Sequence, residues 1–170
     1  MGKIVVKFGG SSLSDAAQFR KVRDIIRMDP RRCYVVPSAP GRRFPEDEKV
    51  TDLLYQTYRA RQRGDDPRPV FQRVRERYLS IAKELGLSFP IARELDEVER
   101  LIREGASEDF CASRGEYLNG LLLADYLGFA FLDPKDLVFF NNDGTFDSER
   151  TNAVMAEKLK TVPQAVIPGF

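Results

Sequence analysis

The 170-residue sequence contains no histidine, and it has only two cysteines. The lack of histidine excludes Ser-His-Asp and Cys-His catalysis, histidine general bases and metal sites that need an imidazole ligand. Cys33 and Cys111 are far apart and lack CxxC spacing, so no metal site and no disulfide framework is predicted. We expect both to be small buried apolar residues in a reducing compartment.

Long apolar runs and an excess of charge of one sign are also missing. No apolar stretch approaches the roughly 18 residues of a membrane span, and the start of the chain lacks the features of a signal peptide. The 27 basic and 26 acidic residues give a net charge of +1, which creates no general attraction for nucleic acid. We therefore expect a cytoplasmic protein that binds neither nucleic acid nor membrane.

The chain does contain enough apolar material for a core. Hydrophobic residues make up 42% of the sequence and charged residues 31%, which is typical of a globular protein of one ordinary domain. Seven basic residues fall between Arg59 and Arg77. We interpret them as the solvated faces of helices, with an RNA-binding face as the alternative.

Hydrophobic periodicity predicts an α/β fold. Short apolar, β-branched runs indicate strands, and apolar residues at helical spacing indicate helices between them. Strands that alternate with helices predict a three-layer αβα domain, whose mostly parallel sheet is covered on both faces. The predicted strands are 3–8, Cys33 to about Ala39, 129–133 and a last one from 165, with a hairpin over 137–147 around Asn142-Asp143-Gly144. The predicted helices run from Ser14 or Asp15 to Asp29, from about Thr51 to Arg63, over 70–85, 91–102 and 117–127, and from Ser148 or Thr151 to Lys160.

The segment from Lys7 to Ser12 joins the first predicted strand to the first helix. Gly9 and Gly10 let the backbone turn tightly and approach a ligand closely, and free amides at the start of a helix bind anions. Lys7 lies at the carboxyl end of its strand, where α/β sheets bind ligands, and supplies a charge suited to a phosphoryl group. The segment matches neither GxxxxGK[ST] nor GxGxxG, so a tight turn with an incidental lysine is the alternative.

Three later segments have the residue types of a binding site. Ser38-Ala39-Pro40-Gly41 follows the second strand and could hold a carboxylate or phosphate, although these are also ordinary turn residues. Thr51-Asp52 opens the next helix, where an N-cap pair is the structural alternative. Ser113-Arg114-Gly115-Glu116 has the S-x-x-E spacing of a capping box. Alternatively, the carboxylate of Glu116 receives the ammonium group of a substrate.

Taken in this order, the segments resemble the amino acid kinase family and, within it, the aspartokinases. Each motif is modest alone, but together they extend from residue 3 to residue 170. The resemblance is carried by KFGGSS at 7–12, SAPG at 38–41, VTDLL at 50–54, SRGEYLNGLLLADYLG at 113–128 and VIPGF at 166–170, while the stretch 133–147 resembles a bacterial subgroup.

The resemblance implies a carbamate kinase-like fold and transfer of the ATP γ-phosphoryl group to the β-carboxylate of L-aspartate, a step of lysine, methionine and threonine biosynthesis. Mg²⁺ would accompany ATP. Phosphoryl transfer requires positioning and charge stabilisation rather than a histidine base, so the composition is compatible with it. By position, Lys7 would stabilise the transferring phosphoryl group, Gly9, Gly10 and Ser11 would line the phosphate path, Ser38 would lie near the phosphoryl acceptor, and Thr51 and Glu116 would bind aspartate, Glu116 through the α-ammonium group.

The sequence also departs from the family. The family continues with a glycine-rich GRGGSD-type segment, an adenine-binding lobe and regulatory ACT domains, and none of these is among the 170 residues. Arg114 stands where the family often has histidine. We therefore expect residues 1–170 to be the N-terminal, aspartate-binding lobe of a kinase domain, inactive alone and prone to self-association. The alternatives are a non-catalytic binding or assembly module derived from that lobe and, more remotely, a glutamate- or carbamate-type kinase.

Overall fold

The structure is a computed structural model that describes residues 2–169. Within this range, four strands form one sheet in which every neighbouring pair is parallel. The strands are β1 (Ile4–Phe8), β2 (Arg32–Pro37), β3 (Ala130–Phe131) and β4 (Ala165–Val166), in the order β1-β2-β4-β3. The helices are α1 (Ala16–Arg27), α2 (Val50–Gln62), α3 (Arg68–Leu85), α4 (Ile91–Glu104), α5 (Glu108–Leu127) and α6 (Ser148–Thr161), with 3₁₀ turns at Gly10–Leu13 and Pro134–Asp136.

The local chemistry of the sequence explains the helix ends. The Asp15 carboxylate accepts a hydrogen bond from the amide of Gln18 and caps α1, which satisfies one of the free amides of its first turn. Gly86 adopts a left-handed conformation with φ of 66° and ends α3, as glycine does without a Cβ penalty. These boundaries agree with those predicted for the first and third helices.

The helices cover the two faces of the sheet unequally. On one face, α1 and α5 pack on Val35 and Val166, and α2, α3 and α4 pack outside them in the same core. On the other face, α6 packs through Val154, Met155 and Leu159 on a smaller cluster that includes Tyr34. The predicted mixed α/β class with a parallel sheet flanked by helices is confirmed. Coverage is incomplete over β1, where Val5 is 64% exposed.

Several predicted boundaries are wrong. The fifth helix begins at Glu108, well before the predicted start, because Ser107 accepts a hydrogen bond from the amide of Phe110 and caps it. The predicted strand 129–133 is reduced to Ala130–Phe131. The predicted hairpin keeps its reverse turn, but Phe140 and Phe146 form a single antiparallel bridge instead of a ladder. Phe170, which ends the VIPGF segment, lies outside the described residues.

The two cysteines are buried as predicted, whereas the basic segment is only partly a solvated surface. Cys33 and Cys111 are free and buried, and burial raises the pKa of the Cys111 thiol to about 11, so this thiol is unreactive at neutral pH. Five of the seven arginines between Arg59 and Arg77 form ion pairs with carboxylates of this chain. Arg77 is only 4% exposed, so the prediction of a solvated face is wrong at this residue. No helix between residues 2 and 169 is long and apolar enough to cross a membrane.

Candidate active site

The carboxyl ends of β1 and β2 meet at one edge of the sheet. Because the two strands are parallel and pair Phe8 with Pro37, the turns that follow them must lie side by side. The amide of Ser38 donates to the carbonyl of Phe8 at 3.0 Å, and the amide of Gly41 donates to the carbonyl of Gly10 at 2.8 Å. The segments Lys7–Ser12 and Ser38–Gly41, predicted separately to bind ligands, therefore form one structure.

Glycine is required where these two turns touch. A Cβ atom on Gly10 would lie 2.8 Å from the carbonyl oxygen of Ala39, and one on Gly41 would lie 2.7 Å from the carbonyl carbon of Gly10. Both distances are shorter than side-chain contacts allow, and the opposing atoms belong to the backbone. The two turns can pack this closely only because neither residue has a side chain.

The middle of α5 forms the opposite wall. Gly115 lies against Ala39 so closely that an added Cβ would be 2.8 Å from the Ala39 Cβ. One turn later, the Nδ2 group of the fully buried Asn119 donates to the carbonyl oxygen of Ser38 at 2.7 Å. These two contacts place Glu116, which lies between Gly115 and Asn119 in sequence, beside the turn that follows β2.

A cavity of about 460 Å³ lies between these elements. Five of the predicted site residues line it, whereas Lys7 and Gly9 do not. Lys7 is exposed at the end of β1, but its ammonium group still acts on the Glu116 carboxylate, whose pKa it lowers. The predicted residues in the lining are Gly10, Ser11, Ser38, Thr51 and Glu116, and the others are Ala39, Pro40, Gly41, Arg42 and Lys49.

Glu116 has the chemistry of a ligand-binding group. Its Oε2 atom is buried and accepts no hydrogen bond from any residue between 2 and 169. Burial raises its pKa to about 7, although Lys7 opposes the shift, because desolvation disfavours the charged carboxylate. A cation delivered into the cavity would satisfy this oxygen and return the carboxyl group to its charged form.

The structural alternatives that the sequence offered for Thr51 and Glu116 are wrong. Ser113 and Glu116 lie inside α5, and the Ser113 hydroxyl donates to the carbonyl of Phe110 instead of capping a helix start. Thr51 is not an N-cap either, since α2 begins at Val50 after Lys49, which forms no side-chain cap. Glu116 and Thr51 are thus free of the roles that would have explained them without a ligand.

Some residues of the cavity carried no clear sequence pattern. Arg42 and Lys49 belong to a polar segment with two prolines, and this composition indicates a loop but no function. Both side chains are exposed and line the cavity. Neither forms an ion pair with any residue in the described part of the chain. Asn119 could have been noticed as the only polar side chain in the apolar stretch 118–124. The cavity therefore combines one half-buried carboxyl group with two cationic side chains.

A larger cleft of about 590 Å³ lies elsewhere, between Phe131, Leu137 and α6. None of the predicted site residues lines it. The smaller cavity is lined by the glycine turns and by the half-buried carboxyl group of Glu116. It also lies at the carboxyl ends of parallel strands, where α/β proteins commonly bind ligands. It is therefore the better candidate for an active site.

The comparisons with known proteins agree with this architecture. The sequence model described as the amino acid kinase family matches residues 2–170. The chain belongs to the amino acid kinase family. Within this family of kinases, it is 39% identical over 150 residues, or 80% of its length, to aspartokinase 3 of Bacillus subtilis. It is 32% identical over 129 residues, or 72% of its length, to the aspartokinase of Chlamydia trachomatis.

Solved structures of amino acid kinases match the same region. The aspartate kinase of Clostridium acetobutylicum superimposes on the whole chain with a TM-score of 0.97 at 45% identity, and 39% of that protein is covered. Aspartokinase III of E. coli, solved with aspartate and ADP, covers 99% of the chain and is itself covered over 40%, with a TM-score of 0.76. At 21% identity, this second match supports the fold alone. The chain spans about a third of the curated relatives it matches, 32% of the Bacillus protein and 27% of the Chlamydia protein.

Proposed function

We propose that the chain is the aspartate-binding lobe of an aspartate kinase, which transfers the γ-phosphoryl group of ATP to the β-carboxylate of L-aspartate. The observation that carries the proposal is the buried, unpartnered Oε2 atom of Glu116 in a cavity at the carboxyl ends of β1 and β2. A substrate ammonium group is the natural partner for such an oxygen, because it neutralises the carboxylate and donates hydrogen bonds to it.

The charges around the cavity suit an amino acid with two carboxylates. Glu116 would take the α-ammonium group, and the Thr51 hydroxyl would bind the same end of the substrate. Arg42 and Lys49, which line the cavity without an ion pair to any residue from 2 to 169, would face the carboxylates. Ser38 would lie beside the β-carboxylate that accepts the phosphoryl group.

The nucleotide side of the reaction falls to the turn after β1. Gly9, Gly10 and Ser11 would follow the phosphates of ATP, which enters as its Mg²⁺ complex. Lys7, at the end of β1, would place its charge beside the transferring phosphoryl group, where negative charge is spread over three oxygens. Gly10 lies in close contact with the turn after β2. This contact would bring the phosphoryl donor next to the acceptor carboxylate.

The relatives support the substrate assignment. The two bacterial proteins that match the chain at 39% and 32% identity are named aspartokinases, and the solved Clostridium protein is an aspartate kinase. We place this activity in the cytoplasm, where the two buried free thiols would remain reduced. Self-association remains a prediction.

Titration of the isotope-labelled chain with L-aspartate tests the proposal by NMR. We expect the largest amide shifts at the turns around Gly10 and Ser38 and at Glu116, since these residues surround the cavity. The variant Glu116→Gln keeps the shape of the side chain but removes its charge, and it should lose most of the affinity.

Glu108→Gln is the matched control, because Glu108 is exposed in the first turn of the same helix. It should bind L-aspartate like the unmodified chain. L-Glutamate, which is longer by one methylene group, should bind more weakly. Shifts that map to the larger cleft near Phe131, or an unchanged affinity in Glu116→Gln, would contradict the proposed site.

A further inference from the structure

Arg77 connects α3 to the backbone that surrounds the cavity. Its side chain is only 4% exposed. The Nη1 group donates to the carbonyl oxygen of Gly41 at 2.9 Å and to that of Ser14 at 3.3 Å. The Nη2 group donates to the Asp47 carboxylate at 2.6 Å and to the carbonyl oxygen of Glu48 at 3.3 Å. One guanidinium group therefore reaches both ends of the segment 41–48 and the residue before the α1 cap.

Asp47 is the second half of this arrangement. It is 9% exposed, and besides Arg77 it binds the backbone amide of Arg43 at 3.0 Å and the Arg43 guanidinium at 2.7 and 2.9 Å. Hydrogen bonds from Arg43 hold the pKa of Asp47 well below its ordinary value. The loop after Gly41 is thus folded around an ionised carboxylate that Arg77 fixes to the core.

The contacts of Arg77 continue to the site itself. Gly41, whose carbonyl accepts from Arg77, donates its own amide to Gly10. Arg77 binds the carbonyl oxygens of Gly41 and Glu48. Arg42 follows Gly41 and Lys49 follows Glu48, and both of these cations line the cavity. A loop with this many exposed residues would otherwise sample many conformations, at a cost in entropy when the ligand orders it.

We propose that Arg77 is a positioning residue of this site, which through Gly41 and Asp47 holds segment 41–49 in the conformation that presents Arg42 and Lys49 to the substrate. The inference rests on the proposed function for the identity of that substrate. Arg77 itself lines no part of the cavity and acts only through the residues it binds. A fork of planar donors suits this task, since lysine could not bind four oxygens in fixed directions.

A purely structural role for Arg77 would predict that its loss affects stability but not the affinity for L-aspartate. Buried ion pairs often contribute little net stability, and their loss is costly wherever they lie, so stability alone does not distinguish the two roles. Arg75 on the same helix is a matched comparison. It is 17% exposed and pairs with Asp96 and Glu99 at 2.8 and 2.9 Å, and these contacts join α3 to α4 away from the cavity.

The test compares Arg77→Met with Arg75→Met in the full chain, by amide hydrogen exchange and by L-aspartate titration. In Arg77→Met we expect exchange in 41–49 and the dissociation constant for L-aspartate to rise by roughly tenfold or more, because the loop is no longer held in place. In Arg75→Met, we expect faster exchange in α3 and α4 and an unchanged dissociation constant.

Two conservative variants keep the test decisive if Arg77→Met does not fold. Arg77→Lys retains the charge, and Asp47→Asn retains the shape, and each should loosen 41–49 while the rest of the chain keeps its exchange pattern. Exchange that rises uniformly, or an affinity equal to that of the unmodified chain, would overturn the inference. If the unmodified chain binds no L-aspartate, the proposed function fails, and exchange in 41–49 then decides separately whether Arg77 orders the loop.

Discussion

Glu116 shows how a single residue can be unfavourable for folding and useful for binding. Its carboxyl group is half-buried, one oxygen lacks a partner within residues 2–169, and Lys7 offsets only part of the desolvation. A bound cation would therefore stabilise the charged form of this carboxyl group. Sites that keep such groups commonly give up some stability for function.

The raised pKa of Glu116 makes the stability of the chain depend on pH. The pKa is about 7 in the folded chain against an ordinary value of 4.5, so the folded state binds the proton more tightly than the unfolded state. The resulting stabilisation is fully present below pH 4.5 and is lost as the pH rises through 7. Glu116→Gln should therefore gain stability relative to the unmodified chain across this window, as measured by urea unfolding at a series of pH values.

Glu108→Gln serves as the control for this measurement as well. The exposed Glu108 side chain should give a difference in unfolding free energy that hardly changes over the same range. A Glu116→Gln difference that is equally flat with pH would show that the carboxyl group is not desolvated in the folded chain.

At the scale of elements, periodicity and capping residues predicted most helices and the two longer strands. The pairing of β1 with β2, which brings the turns after them to one edge of the sheet, was not predicted, because hydrophobic periodicity does not specify which strands are neighbours. The start of α5 was missed because Ser107 and Ser113 are both followed by residues compatible with a first turn, and only packing distinguishes them. The roles of Arg77 and Asp47 depend on contacts between distant segments, which no local pattern records.

Gly115 is the position where α5 touches the turn after β2. Alanine at an interior helix position is ordinarily about 1 kcal/mol better than glycine. Here the added Cβ would lie 2.8 Å from the Ala39 Cβ and 3.2 Å from Leu54 Cδ1. We expect Gly115→Ala to destabilise the chain by about 1–3 kcal/mol, as overpacking does, in chemical denaturation.

Asp125→Ala provides the control for Gly115→Ala, since Asp125 is exposed near the end of the same helix. Its unfolding free energy should change by no more than about 0.5 kcal/mol. Should Gly115→Ala prove as stable as the parent, the close packing of α5 on Ala39 would not be required for folding.

At the scale of the whole molecule, α1 and α5 cover one face of the sheet, with α2, α3 and α4 packed outside them, and α6 alone packs on the other face, within residues 2–169. Val5 and Lys7 of β1 are exposed on the thinly covered face. The chain also spans only 32% of the Bacillus aspartokinase. Under the proposed function, we expect residues 1–170 to bind aspartate without completing the reaction.

We therefore predict negligible kinase activity for the purified 170-residue chain in a hydroxamate assay with ATP, Mg²⁺ and L-aspartate. The sequence contains no GRGGSD-type segment, which the family resemblance leads us to expect in a complete kinase domain. Robust turnover would refute this prediction, whereas aspartate binding without turnover would support a substrate-binding lobe. Absence of both would favour the non-catalytic module.

The hydrogen bond between Gly41 and Gly10 would couple the affinities of the two substrates. Under the proposed function, one turn contacts the amino acid and the other follows the nucleotide phosphates, and neither can shift without straining their shared contact. A ligand that orders one turn thereby lowers the entropic cost of ordering the other. Since such coupling is reciprocal, each substrate should raise the affinity for its co-substrate, which makes this glycine contact the basis of binding synergy.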